Sequence, residues 1–192
     1  MGASSDPYPE PAPWIICLDL QHDRPVRAKA DDLPRRIAAC RRLIAHARGL
    51  GWPLIHVLQA AVRGTGAARA RAAPPIEGLQ PRPFETVILR SGLSAFSDQT
   101  FQALIKGAAG REIVLVSVLL GPAWLTTVLD AHDRGVRVTL VEDTLSAGAL
   151  RRFSAETVRG VLLAFAGPFV RRTTSGRLIR PPAEPRPAAN DS

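Results

Sequence analysis

The sequence predicts an α/β fold of the Rossmann-like, three-layer type: a six-stranded, mostly parallel sheet with helices on both faces. Two observations carry that prediction. Short runs rich in Val, Ile and Leu alternate with stretches of helical periodicity, the order expected of strands joined by crossover helices. Several of those runs are apolar at consecutive positions, as a strand covered on both faces must be. With 192 residues, 46% of them hydrophobic, the chain can bury one real core, and one domain is expected over residues 13–176. The Pro-rich ends, 1–12 and 177–192, are expected to be a disordered N-terminal arm and a Pro/Arg-rich C-terminal tail.

The strands are expected at "WIICLDL" (14–20), "PLIHVLQ" (53–59), "ETVILR" (85–90), "EIVLVSV" (112–118), "VRVTLVE" (136–142) and, more weakly, "PFVRR" (168–172). The first helix, 32–48, opens at Asp31 or Asp32 with Pro34 in its first turn and stops at Gly49 and Gly51. Its inner stripe reads Ile37, Cys40, Ile44 and Ala47, with Arg35, Arg36, Arg41, Arg42 and Arg48 on the other faces. A second helix, 98–107, is capped by Ser97 or Asp98. A third, 122–134, opens at Pro122 and closes at Gly135, and a fourth, 155–166, has Ser154 as its cap and Gly167-Pro168 as its stop. The Pro-rich, small-residue segment 60–83 is too long for a mere connector and is expected to serve as a lid or an oligomer contact.

The net charge of +8 and pI near 11.0 raise nucleic acid as a partner. Lys29 and Lys106 are the only lysines, so the excess is arginine scattered along helices and in the tail. No aromatic-rich strand, zinc spacing or helix-turn-helix pattern accompanies it, which favours a solvated basic surface over nucleic-acid binding. No apolar run reaches the roughly 20 residues of a membrane span. The N-terminus lacks a basic start followed by an apolar stretch, so a cytoplasmic location is expected. Cys17 in a strand and Cys40 on the apolar side of a helix read as buried thiols, not as a disulfide or metal pair.

In an open parallel sheet, sites form beyond the carboxyl ends of the strands. Asp19 ends the first strand, Arg90 ends the third, and Ser117 to Ala123 follow the fourth; the three would meet in one crevice. Four segments, "IICLDLQHD", "LQPRPFETVILRSGLSAF", "VSVLLGPAWLTTVLDAHDRG" and "VRVTLVEDTLSA", give the chain its resemblance to the isochorismatase-like cysteine hydrolases, which include nicotinamidases and carbamoylsarcosine amidases. The likeness spans roughly residues 12–175 in order. It implies a hydrolase of small amides in which a Cys attacks, an Asp moves its proton and a Lys steadies the charge. By position, Asp19 matches that Asp, Arg90 the Lys and Ala123 the Cys, so only one of the three is kept. The turn before the nucleophile, which supplies oxyanion-binding N–H groups, falls on Val118, Leu119 and Gly121, with Trp124 beside Ala123, Ser117 in the family's Gly slot and His22 near the mouth.

A methyl group cannot form a thioester, and Arg lacks the compact, titratable ammonium of Lys. An Asp19–Arg90 ion pair is expected in place of a working base. Ser117 is the best substitute nucleophile, though a small residue filling a strand end is the plainer account of it. No metal site is expected, because the segment after the second strand lacks the necessary Asp and His spacing, and no cofactor is implied. The resemblance implies a homo-oligomer. The sequence therefore predicts a catalytically degenerate hydrolase, a pseudoenzyme keeping the fold for binding a small molecule or assembling with a partner enzyme. Two alternatives stay open: a divergent hydrolase acting on a small amide or related C–N bond through Asp19-activated water or Ser117, and, more weakly, a basic nucleic-acid-binding protein.

Overall fold

A computed structural model of the chain describes residues 12–22, 32–61, 71–108 and 110–179. Its elements run β1 (Trp14–Leu18), α1 (Leu33–Gly49), β2 (Leu54–Ala61), β3 (Arg71–Ala72), β4 (Thr86–Arg90), α2 (Gln99–Gly107) and β5 (Ile113–Val116). The second half continues with β6 (Leu119–Leu120), α3 (Pro122–Asp133), β7 (Val138–Val141), β8 (Ser146–Ala147), α4 (Ala155–Ala166), β9 (Arg171–Thr173) and α5 (Ser175–Ile179).

Six strands pair in parallel in the order β4-β2-β1-β5-β7-β9, and the short β3 adds antiparallel to the far end of β2. The chain winds outward from β1 to β4, then restarts at β5 and winds the other way. The switch point lies between β1 and β5, where an α/β sheet opens a crevice at its carboxyl edge. Alternation along β1 sorts the layers: Ile16 and Leu18 join Phe101, Trp124, Val128 and Leu163 from α2, α3 and α4, while Ile15 and Cys17 join Cys40, Leu43 and Ile44 of α1. Helices thus cover both faces, as the apolar runs require.

The helix ends follow their capping chemistry. Asp98 accepts from the Phe101 N–H at 3.0 Å and Ser154 from the Thr157 N–H at 3.1 Å. Asp32 stands at the cap of α1, but its side chain makes no cap bond; it accepts from Ser146 Oγ at 2.5 Å and pairs with Arg36 at 2.7 Å, so it ties α1 to β8. The inner face of α1 also differs from the expected stripe. Leu43 and Ala39 are buried beside Cys40, Ile44 and Ala47, and Ile37 is only half-buried.

The predicted strand at 168–172 is shifted. Gly167–Phe169 forms a 3-10 turn, in which Pro168 needs no N–H partner, and the strand begins at Arg171. Of the segment 60–83, residues 62–70 lie outside the described residues, as do residues 1–11 of the expected arm at 1–12 and residues 180–192 of the expected tail at 177–192. Residues 72–79 are stitched to the body instead of standing off it. The Ile76 N–H donates to Leu20 O and the His22 N–H to Pro74 O, both at 2.9 Å, and Ile76 and Leu79 are buried.

One polar network is built into the amino-terminal half. Glu85 accepts from Arg48 Nε at 2.7 Å, from the Arg82 N–H at 2.9 Å and from His56 Nε2 at 2.8 Å. Burial pushes the Glu85 carboxyl up, but these donors outweigh it and hold it at about 2. Burial keeps His56 below its ordinary value against the pull of Glu85, so Arg48 carries the positive charge of the network.

Candidate functional site

Where β1 ends, the chain turns sharply. Asp19 has φ of 50°, in the left-handed region that Asp tolerates better than most side chains, and its N–H donates to Val57 O at 2.9 Å. Strand β2 lies between β1 and β4, with Gln59 in register with Arg90. Asp19 and Arg90 therefore flank the end of β2, and the guanidinium reaches across it. Arg90 Nη2 donates to Asp19 Oδ2 at 2.5 Å, while Nη1 donates to Gly92 O at 2.5 Å, to Leu93 O at 2.9 Å and to Gln59 Oε1. Arg90 is fully buried and Asp19 nearly so. The ion pair that the sequence predicts is thus present, held within a cage of four acceptors.

The opposite wall comes from the turn after β5. Ser117 follows the strand, β6 pairs with β8, and Gly121 in extended conformation caps α3, leaving Pro122 and Ala123 in its first turn. That places Ala123 at the positive end of a 12-residue helix, where an anionic nucleophile would be stabilised. The side chain there is a methyl group. Thr126 and Thr127 donate their hydroxyls back to Pro122 O and Ala123 O at 2.9 and 2.7 Å, and Ala95 N–H donates to Thr127 Oγ1. Neither is poised to attack. Ser117 is 2% exposed, and its hydroxyl lies 3.3 to 3.4 Å from the Leu119 carbonyl and N–H, a local turn bond.

Between the walls lies a cavity of about 160 Å³ bordered by Asp19, Gln59, Leu93, Ser117, Leu119 and the Gly121 to Trp124 segment. It is smaller than the roughly 300 Å³ at which small-molecule pockets begin. Trp124, 1% exposed, packs into the core beneath it, and its indole N–H has no hydrogen-bond partner among the described residues.

Of the residues singled out in the sequence, the structure brings Asp19, Ser117, Leu119, Gly121, Ala123 and Trp124 to this cavity. Three stand elsewhere. Arg90 sits behind Asp19 and does not border the cavity, so its cation faces the carboxylate and carbonyl oxygens and not an incoming ligand. Val118 is buried in the opposite core, where its carbonyl accepts from the Ser146 N–H at 3.0 Å. His22 is exposed and away from the cavity, because the backbone bond to Pro74 turns it outward.

Gln59 and Leu93 border the cavity, and Gln21, fully buried, anchors Gln59 by accepting from its N–H at 2.9 Å. The signal for Gln59 was available: a polar residue closing the apolar run "PLIHVLQ" at a carboxyl strand end. Leu93 gave none.

The chemistry available is narrow. Cys17 and Cys40 are free thiols, fully buried on the other face of the sheet; burial pushes Cys17 up and Cys40 up to about 12, so neither offers a thiolate. Among the described residues no three His, Cys, Asp or Glu side chains converge to hold a metal ion, and no helix is long and apolar enough to cross a membrane.

An isochorismatase domain model matches residues 13–176. The chain belongs to the isochorismatase family. Solved structures agree. A protein from Chromobacterium violaceum named as a hydrolase of the isochorismatase family is 28% identical, with a TM-score of 0.76 over 88% of this chain and 92% of that one. An isochorismatase from Pseudomonas putida is 24% identical, with a TM-score of 0.78 over 89% and 93%. A cysteine hydrolase from Pseudomonas syringae pv. phaseolicola shares the fold at 20% identity and a TM-score of 0.76 over 91% and 93%. Comparison with curated proteins gives no match. Within an isochorismatase fold the cavity at the β1–β5 switch point is the place where chemistry would be sought, and here it borders a methyl group and a carboxylate already paired.

Proposed function

We propose that this isochorismatase-family protein is a degenerate hydrolase, a pseudoenzyme that keeps the fold for binding or for assembly, with a homo-oligomer or a partner enzyme as its context. The observation that carries the reading is Asp19: its carboxylate accepts from a buried guanidinium at 2.5 Å, beside a first helical turn whose family nucleophile position holds Ala123. A general base must be free to take a proton. An Asp committed to Arg90 is not, and no thiol stands within the crevice for it to serve.

The test is amide hydrolysis by the purified protein across a panel of small amides, beside the Arg90→Lys/Ala123→Cys double variant. No turnover by the natural chain and turnover by the double variant is the expected result. Hydrolysis by the natural chain that Asp19→Asn abolishes would overturn the proposal. Asn is the variant of choice because it tolerates a positive φ, whereas Ala at this position adds backbone strain to the lost carboxylate.

A second reading, a divergent hydrolase of a small amide or related C–N bond, draws support from Asp19 and Ser117 bordering one cavity. It requires Ser117 to leave its bonds to Leu119, and Ser117→Ala would then remove the activity. For nucleic-acid binding the support is the net charge of +8 alone, and salt-dependent retention of DNA or RNA would test it.

A further inference from the structure

On the opposite edge of the sheet, at the amino ends of β5 and β7, lies a cavity of about 550 Å³. It is more than three times the volume of the crevice at the switch point and within the usual range for small-molecule sites. Its floor is apolar: Phe96, Ile105 and Ile113, each at most 5% exposed, form its base. Its rim is cationic, carrying Lys106 from the last turn of α2, Arg111 and Arg137 from the loops entering β5 and β7, and Arg134 from the end of α3.

Cations at helix C-termini have an ordinary use, which is to offset the helix dipole. That accounts for Arg134, which pairs with Asp130 at 3.2 Å and lies over the Phe96 ring at 4.9 Å. It also gives Lys106, in the last turn of α2, a use, but it does not account for Arg111 and Arg137. Among the described residues Lys106, Arg111 and Arg137 make no ion pair and no acidic side chain borders the cavity. Glu112 and Asp133 are the nearest carboxylates in sequence. Glu112 accepts from Thr139 Oγ1, and Asp133 is exposed on α3 outside the lining. Arg137 donates to Gly110 O at 2.6 Å and Arg111 to Ala12 O at 3.4 Å, and neither guanidinium has a further acceptor among the described residues.

We infer that this cavity is a second ligand site, taking a small organic anion whose carboxylate or phosphate meets Lys106, Arg111 and Arg137 while its apolar body rests on Phe96 and Ile113. Cationic donors grouped without counter-charges among the described residues, around an apolar floor, favour a ligand that brings both parts, because either part alone leaves half the site unmatched. The inference does not rest on the proposed function, since the two cavities lie at opposite ends of the strands and share no lining residue.

The experiment is calorimetric titration of the full chain with naphthyl phosphate, alongside naphthol and inorganic phosphate. Naphthyl phosphate should bind one per chain, with affinity falling as salt is raised from about 50 to about 300 mM. Naphthol and inorganic phosphate should each bind about tenfold more weakly or worse, and the Lys106→Gln/Arg137→Gln variant should weaken naphthyl phosphate by about tenfold, the scale of losing charge-assisted hydrogen bonds. Ser117→Ala, in the other cavity, should leave it unchanged. Absent saturation, equal affinity for either half-ligand, indifference to the double variant, or loss of binding in Ser117→Ala would each overturn the assignment. Should the double variant fail to fold, Lys106→Glu, at an exposed position, gives the same reading.

Discussion

Replacing Arg90 by Met should destabilise the protein by about 4 kcal/mol, the middle of the range for stripping one partner from a buried ion pair. The structure supports the high end of what a single side chain can cost. Arg90 is fully buried, and its loss leaves the Asp19 carboxylate beside an apolar side chain while Gln59 Oε1, Gly92 O and Leu93 O each lose a charged donor. With a urea dependence of about 2 kcal/mol per molar, the unfolding midpoint should fall by about 2 M. Asp19→Asn keeps a side chain suited to the positive φ and an acceptor for Arg90 but leaves the buried guanidinium without its counter-charge, so its cost should sit near the low end of the same range, about 3 kcal/mol. The double variant decides the argument. If the two groups are held by each other, Asp19→Asn/Arg90→Met should fall short of the summed single costs by about 1 kcal/mol or more. An Arg90→Met variant that unfolds within about 0.5 M of the natural chain, or a double variant that is simply additive, would refute the reasoning.

Three further outcomes follow from the packing. Glu85 has a folded pKa of about 2 against an ordinary value of 4.5, so its stabilisation is complete above pH 5 and is lost as pH falls toward 2. On the order of 3 kcal/mol is at stake, and Glu85→Gln should flatten the acid limb of a Tm-against-pH curve. His56, held below its ordinary value by burial, acts in the same direction, since the unfolded chain takes up its proton first. Cys17 and Cys40 should resist a thiol reagent in the native protein and react at two per chain in denaturant; one fast-reacting native thiol would contradict their burial. Gly92→Ala should cost about 1 to 3 kcal/mol, because its Cβ would stand 2.5 Å from Ser97 Cβ and push the loop whose carbonyls hold Arg90.

The main sheet and the four longer helices were legible because each buries a face long enough to leave a period in the sequence. β1 shows why: four consecutive buried residues, Ile15 to Leu18, can only be a strand covered on both sides. The elements that went unread are too short to carry a period. β3, β6 and β8 have two residues each, and α5 has five. They depend on tertiary partners, as when Asp143 accepts from the Ser175 N–H at 2.7 Å to start α5. At the site, strand ends predicted which residues would meet, but not which way they would point. Arg90 was legible as a neighbour of Asp19, yet its position behind the cavity follows from Gln59, Gly92 and Leu93, which converge only in space. Val118 shows the same limit. It lies in the turn by sequence, and its side chain goes to the far core.

Under the proposed function, the side chains at Arg90 and Ala123 make physical sense together. Lysine offers three donors from a single point, whereas the end of β4 presents Asp19, Gln59, Gly92 O and Leu93 O around one planar group. A guanidinium satisfies all four at once and, on the proposed reading, holds the carboxylate away from proton transfer. With a cysteine at the head of α3, that arrangement would be costly to function, because the thiol would have no base. With Ala123 there, no thiol competes for the carboxylate, and on the proposed reading the pair serves stability. The left-handed backbone at Asp19 coincides with its carboxylate accepting from Arg90. On the proposed reading, introducing only a cysteine at Ala123 leaves Asp19 engaged, and introducing only a lysine at Arg90 leaves nothing to activate, which is why the double variant and neither single one is the informative test of the proposed function.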